Sequence, residues 1–387
     1  MPIVRLPTTD RRIEAVTVTD PCPYPAAGAG EFNRVAYAAA HVVADPLAAA
    51  DPWERAAVDW DATLAFRRHL WGLGFKVAEA MDTSQRGMGL DWPTARELIR
   101  RSVAEARAIP GADLACGVGT DQLAPGPQAG LAAVRAAYEE QLAAVEAAGG
   151  RAILMASRAL VAAARGADDY LRLYGDLLRQ ARERVIIHWL GPMFDPALEG
   201  YWGSSDLDAA AGTLLLLLRE HAPRIAGVKV SLLDRAREVA LRARLPAGVM
   251  MFTGDDFNYP ELIEGDGARH SDALLGIFDA IARPAAAALT ALAQGETARY
   301  RAILAPTLPL ARVIFRAPTR FYKAGIVLLA WLDGHQDHFA MIGGMQSARS
   351  ALHYAELFRL AAAARVLADP DLACMRMRTL MAGYGIT

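Results

Sequence analysis

Short runs of apolar, β-favouring residues recur along the chain, and between them lie longer stretches whose apolar positions return every three or four residues. The runs are "RVAYAAAHVV" (34–43), "FKVAEAMDTS" (75–84), "ADLACGVGT" (112–120), "RAILMAS" (151–157), "RVIIHWL" (184–190), "IAGVKVS" (225–231), "GVMMFTG" (248–254) and "DALLGIF" (272–278). Near-continuous apolar character marks strands buried on both faces, and the period between them marks amphipathic helices. Asp91 ahead of "WPTARELIRRSVAEAR", with Pro93 in the first turn, is a helix start. Eight strand-then-helix units predict an α/β fold, a parallel (β/α)8 barrel of the TIM type. A doubly wound sheet is the competitor, but no GxGxxG turn follows the first strand.

The two ends fall outside this alternation. In residues 1–30, "IVRL" and "IEAVTVT" flank a polar turn and precede the loose "PCPYPAAGAG", so an N-terminal hairpin closing the barrel bottom is expected. The barrel is expected over 31–298. Residues 299–387, with "RYRAILAPTLPLARVIF", "TRFYKAGIVLLAWLDG" and "QSARSALHYAELFRLAAAARVLA", read as a C-terminal helical extension packed on it.

Composition narrows the function classes. The 41 basic and 43 acidic residues leave no electrostatic footprint for nucleic acid or an anionic membrane. A hydrophobic content of 53% with 22% charge suits a large core, and the longest apolar run, the leucines of "AAGTLLLLLRE", is far short of a membrane span. Cys22, Cys116 and Cys374 are scattered without pairing or metal-ligand spacing, and the first residues carry no apolar signal core. The expectation is a cytoplasmic protein.

In such a barrel chemistry gathers where strands run out into the loops that follow them. The polar residues there are His41 and Asp45, then Asp82, Thr83 and Ser84, then Thr120, Ser157, Arg158 and His188. The later strands add Lys229, Ser231, Thr253, Asp255, Asp256 and Asp272. Lys229 stands out because an ammonium group inside a buried strand is costly. Burial can lower a lysine pKa by up to about 3–5 units and so supply a neutral amine that condenses with a carbonyl to form a Schiff base. Its plainer reading is a lysine paired with Asp255, Asp256 or another carboxylate. Likewise His188 reads more plainly as a hydrogen-bonded barrel histidine, and Thr83 and Ser84 as a cap or turn.

Five segments, in order, resemble the dihydrodipicolinate synthase and N-acetylneuraminate lyase family of class I aldolases, and more closely an uncharacterised branch of it. "IAGVKVSLLD" is similar to the family's Schiff-base strand, "FTGDDF" to its strand 7 motif, and "DTSQRGMGLDWPTARELI" to its strand 2 signature. "CGVGT" is similar to its strand 3 motif and "TRFYKAGIVLLAWLDG" to its C-terminal helix. The resemblance implies that Lys229 is the Schiff-base lysine and that Thr83 and Ser84 hold the carboxylate of a small keto acid. It puts His188 where the family has a proton-shuttling tyrosine; beside these, Asp82 and Ser231 are expected around the substrate from their strand-end positions, and Asp255 or Asp256 to tune the lysine or bind substrate hydroxyls. It implies no cofactor and no metal, and a homodimer or homotetramer.

The departures are as informative. Gln85 and Arg86 stand where the family has Gly and Glu, and Leu160 replaces a relay tyrosine. No arginine follows "HWLGPMFDP" to hold a second substrate's carboxylate. The expectation is a Schiff-base lyase or aldolase, or a related dehydratase or hydrolase, that is not a true dihydrodipicolinate synthase. The insertion "PALEGYWGSSDLDAAAG" suggests a lid carrying Tyr201 and Trp202. Two other readings stand beside this one. A divalent ion held by His41, Asp45, Asp82, His188, Asp255 and Asp256 would stabilise an enolate, and a non-catalytic barrel would merely bind a metabolite. The pair His335 and His338 in "GHQDHF" reads as a cap between helices.

Overall fold

A computed structural model describes residues 1–25, 31–124 and 129–386, so the end of the loose N-terminal stretch, 26–30, lies outside the described residues. Two antiparallel strands, β1 (Ile3–Pro7) and β2 (Ile13–Thr17), form the expected hairpin. The barrel strands are β3 (Ala36–Ala39), β4 (Lys76–Glu79), β5 (Leu114–Val118), β6 (Arg151–Leu154), β7 (Val185–Leu190), β8 (Ile225–Ser231), β9 (Met250–Thr253) and β10 (Asp272–Leu275). They pair in parallel in chain order, and β10 pairs with both β9 and β3, which closes the ring. The fold is therefore the (β/α)8 barrel that the alternation predicts.

The helices through the barrel are α1 (Trp60–Gly72), α2 (Trp92–Arg107), α3 (Leu131–Ala148), α4 (Arg158–Ala163), α5 (Ala167–Gln180), α6 (Leu207–Glu220), α7 (Arg235–Arg242) and α8 (Tyr259–Glu264). Asp91 caps α2 by accepting the Thr94 N–H at 3.0 Å, with Pro93 in the first turn. Beyond them come α9 (Ile277–Ala280), α10 (Ala282–Ala293), α11 (Thr297–Leu304), α12 (Thr307–Ile314), α13 (Tyr322–Leu332), α14 (Ala351–Ala363) and α15 (Pro370–Gly383).

Packing divides the chain into two compact units. One comprises Arg34–Ala39 and Lys76–Leu275 and holds all eight barrel strands. Its centre is filled by Tyr37, Ala39, Ala78, Ala115, Ile153, Ile186, Phe252 and Leu274. Tyr37 and Phe252 meet edge to face with ring centroids 5.8 Å apart. Gly227 in β8 makes room for that ring, because a Cβ there would lie 2.8 Å from the Met250 carbonyl and closer still to Phe252.

The other unit comprises Met1–Asn33, Ala40–Phe75 and Gly276–Thr387. Within it the hairpin is held by C-terminal helices: Arg359 donates to the Leu6 carbonyl at 3.0 Å and Arg378 to that of Ile3. Helix α13, "YKAGIVLLAWL", is buried along its whole length, in line with a sequence that is apolar nearly all round.

Candidate active site

All seven residues of β8 are buried, and Lys229 is 7% exposed. The parallel register sets His188 of β7 opposite Lys229, and Phe252 of β9 on the other side. Burial lowers the Lys229 pKa, opposed by the charges of Asp82 and Asp256. Burial, reinforced by the Lys229 charge, pushes the His188 pKa well below its ordinary value. The His188 Nε2 is 3.1 Å from the Ser231 hydroxyl, while Nδ1 is buried without a partner. A neutral imidazole with one open nitrogen beside an amine of lowered basicity is an arrangement able to move protons.

Gly254, just past β9, governs the space around that amine. A Cβ there would lie 2.8 Å from Lys229 Cε, 2.8 Å from the Val230 carbonyl, and nearer still to the Ser231 hydroxyl. The lysine stem therefore runs against bare backbone.

A cavity of about 190 Å³ opens over the ends of β4 to β7, lined by Asp82, Thr120, Ser157 and His188 among others. The chain leaves β4 through Ala80, at φ 52°, into a single turn, Asp82–Ser84, that Gln85 closes at φ 64°. Thr83 and Ser84 are buried in this turn, where the Ser84 N–H donates to the Met81 carbonyl at 3.1 Å. Arg86 ties the turn down. It donates to the carbonyls of Ala80 (3.1 Å) and Gly117 (3.2 Å), to Gln141 Oε1 (2.8 Å), and in bidentate fashion to Asp121. These bonds outweigh burial and hold the Asp121 carboxyl below its ordinary pKa.

On the opposite wall the Thr120 and Ser157 hydroxyls are 2.6 Å apart, and Ser157 caps α4 by accepting the Leu160 N–H. The Ser157 N–H donates to the Tyr201 hydroxyl (3.2 Å), which is 2.7 Å from that of Tyr174. Tyr201 and Trp202 are 3% and 0% exposed and pack on Tyr170 and Tyr174. The two aromatics that the sequence reading placed on a lid thus turn inward and buttress the cavity wall as part of this cluster.

A family model described as "Protein of unknown function (DUF993)" matches residues 4–386. The chain belongs to this family. None of the curated proteins matches it in sequence. Among solved structures, dihydrodipicolinate synthase from Aquifex aeolicus superposes with a TM-score of 0.61 at 14% identity, over 91% of this chain and 98% of that one. The same enzyme from Bacillus clausii gives 0.62 at 15%, over 84% and 96%. YagE, a prophage protein of the dihydrodipicolinic acid synthase family from E. coli K12 in complex with pyruvate, gives 0.64 at 12%, over 92% and 99%. This member of the DUF993 family therefore shares their barrel fold.

Lys229, His188, Ser231, Asp82 and Asp256 are brought together by these contacts. The Asp255 carboxylate is engaged in its own turn, accepting the N–H groups of Phe257 (2.9 Å) and Asn258 (3.0 Å) and the Asn258 side-chain amide (2.8 Å). Asp272 opens β10 and accepts the Val35 N–H at 2.7 Å, so it lies at the strand end away from the loops that the sequence reading assigned it to. His41 belongs to the other unit, where its Nδ1 is 2.8 Å from Asp279 and its Nε2 is 3.2 Å from Gln336. There too His335 packs on Phe66 and His69, and His338 accepts the Ala340 N–H. Among the described residues no three His, Cys, Asp or Glu side chains are arranged to hold a metal ion, and no helix is long and apolar enough to cross a membrane.

Sequence reasoning missed the Arg86 network, the reach of Tyr201 and the buried Glu238. Its carboxyl group meets the hydroxyls of Thr253 (2.9 Å) and Ser271 (2.7 Å). The signal for Gly254 was present in "FTGDDF", but only packing reveals what the missing side chain spares.

Proposed function

We propose that this protein is a Schiff-base-forming lyase or aldolase acting on a small 2-oxo acid, or a related dehydratase or hydrolase. The observation that carries the reading is the buried amine of Lys229, lowered in basicity and set in register with a neutral, half-partnered His188. The amine nitrogen attacks the substrate's carbonyl carbon, the oxygen leaves as water, and the resulting iminium withdraws electrons from the adjacent carbon–carbon or carbon–hydrogen bond. His188 Nδ1 takes and returns the proton, with Ser231 fixing the ring through Nε2. Thr83 and Ser84, buried in the turn that follows β4, hold the substrate carboxylate. Asp82 and Asp256 balance the charge that forms on the lysine. The pyruvate-bound relative of the same fold supports the substrate class.

True dihydrodipicolinate synthase activity is disfavoured by Leu160, which is enclosed in α4 where the family has a relay tyrosine. It is disfavoured too by the lack of an arginine after "HWLGPMFDP". The reading includes a homodimer or homotetramer working without a cofactor in the cytoplasm, a setting with which three free cysteines agree.

The test is incubation with pyruvate and a panel of 2-oxo acids, reduction with borohydride, and peptide mass spectrometry. A reduced adduct on Lys229, absent in Lys229→Ala, is the expected result. Adduct formation at another lysine, or none with any acid, would sink the reading.

A further inference from the structure

The cavity beside His188 contains two guanidinium groups with opposite circumstances. Arg86 has a side chain 2% exposed, and its donors are spent on Asp121, Gln141 and two carbonyls. It is architecture. Arg158, the first residue of α4, has a side chain 40% exposed at the cavity wall. Among the described residues its guanidinium bonds through Nε to Asp195 and makes no other hydrogen bond. Asp195 is itself fixed, since its other oxygen accepts the Ala197 N–H at 3.1 Å. Nη1 extends to Gly87, at φ 66°, where an added Cβ would lie 3.4 Å from it. The arm is thus tethered at Nε and reaches the loop after β4, with both terminal nitrogens left to meet a ligand. Two parallel N–H donors on a tethered fork match one carboxylate.

We propose that Arg158 recognises a second acidic group on the substrate, remote from the carbonyl, so that the preferred substrates are short 2-oxo dicarboxylates. A cavity of about 190 Å³ suits a short chain and lies below the range of roughly 300–1,000 Å³ typical of drug-sized ligands. The inference rests on the Schiff-base reading for the substrate's carbonyl end, but its own evidence is the arginine. Arg158 opens α4, just past β6, and so reaches the cavity from the wall that Ser157 also lines.

Calorimetric binding of 2-oxoglutarate and of 2-oxopentanoate, which differ in the distal carboxylate, tests it. The wild-type protein is expected to bind the dicarboxylate about 10-fold or more tightly, since hydrogen bonds to a charged group are the stronger kind. The ratio is expected to fall to near one in Arg158→Gln and to be partly restored in Arg158→Lys, with melting temperatures confirming that both variants fold. A wild-type ratio near one, or one that survives in folded Arg158→Gln, would overturn the proposal. Borohydride trapping run in parallel separates the two readings. With no adduct from either acid the Schiff-base reading falls, while the calorimetric ratio still decides the role of Arg158.

Discussion

His188 and Lys229 are partners across the β7–β8 ladder, one fully enclosed and the other nearly so, and the lysine's charge joins burial in keeping the imidazole neutral. This pairing separates two steps that one variant should split. The amine forms the imine, while the imidazole moves the proton that follows. His188→Asn is therefore expected to slow exchange of pyruvate's methyl protons with deuterium, followed by NMR, by about 10²-fold or more. The Lys229 adduct should still be trapped. Equal loss of trapping and exchange would show that His188 is only a packing residue.

The pH dependence of trapping follows from the same geometry. Only the neutral amine reacts, and burial lowers the Lys229 pKa, so the trapping rate should rise with pH and level off below the 10.5 of an ordinary lysine. Asp82→Asn removes a charge that raises this pKa and should move the midpoint lower still. A midpoint unchanged by that substitution would remove Asp82 from the lysine's surroundings.

Gly254→Ala tests the space around the amine. The new Cβ would crowd Lys229 Cε and the Val230 carbonyl, each 2.8 Å away, and backbone cannot swing aside. The expected cost is about 1–3 kcal/mol of stability, with a larger proportional loss of trapping. Gly212→Ala in α6 is the control. Nothing lies within 4 Å of its Cβ, so it should gain about 0.5–1 kcal/mol from helix propensity. A Gly254→Ala protein that melts and reacts like wild type would show that the close approach has no bearing on the site.

The barrel was legible because parallel strands covered on both faces leave continuous apolar runs, and a lysine interrupting one of them is conspicuous. The tails of those runs were not strand: "FKVAEAMDTS" stops pairing at Glu79, because Ala80 turns the chain into the Asp82–Ser84 turn. The partners of Arg86 were hidden for another reason. Ala80 follows β4 while Gly117, Asp121 and Gln141 belong to the next strand-helix unit, β5 and α3, and no local pattern marks any of them as its acceptor. His41 likewise finds Asp279 across 238 positions of sequence. Period and composition report which face is buried, but not which polar groups then meet.

Glu238 provides a pH test of stability. Burial raises its pKa to about 8 from an ordinary 4.5, against the opposing effects of Ser271, Thr253 and Arg242. A carboxyl whose folded pKa is raised binds its proton more tightly in the native state than in the unfolded chain. Its contribution is therefore fully present below pH 4.5 and is lost as pH rises toward 8. The wild-type melting temperature should fall across that window, and Glu238→Gln, a neutral near-isostere, should flatten the fall. Parallel melting curves for the two proteins from pH 5 to 8 would refute this assignment.

Arg86 and Asp121 form the opposite case, a charged pair whose value lies in being complete. Their side chains are 2% and 18% exposed, so either charge alone would be left in a poorly solvated place. Arg86→Met is expected to cost about 3–5 kcal/mol, far more than loss of an exposed helix pair such as Arg100 and Glu97, whose charges stay in water. The Asp121 carboxyl has its pKa lowered in the fold, so its stabilisation is present above the ordinary 3.8 and is lost as pH falls through the folded value. Asp121→Asn should remove that acid-side loss. The double variant should then be less damaged than the two single costs added together, because no isolated charge remains. Thermal melts at neutral and acid pH complete the cycle, and strictly additive costs would mean that the two groups do not act as a pair.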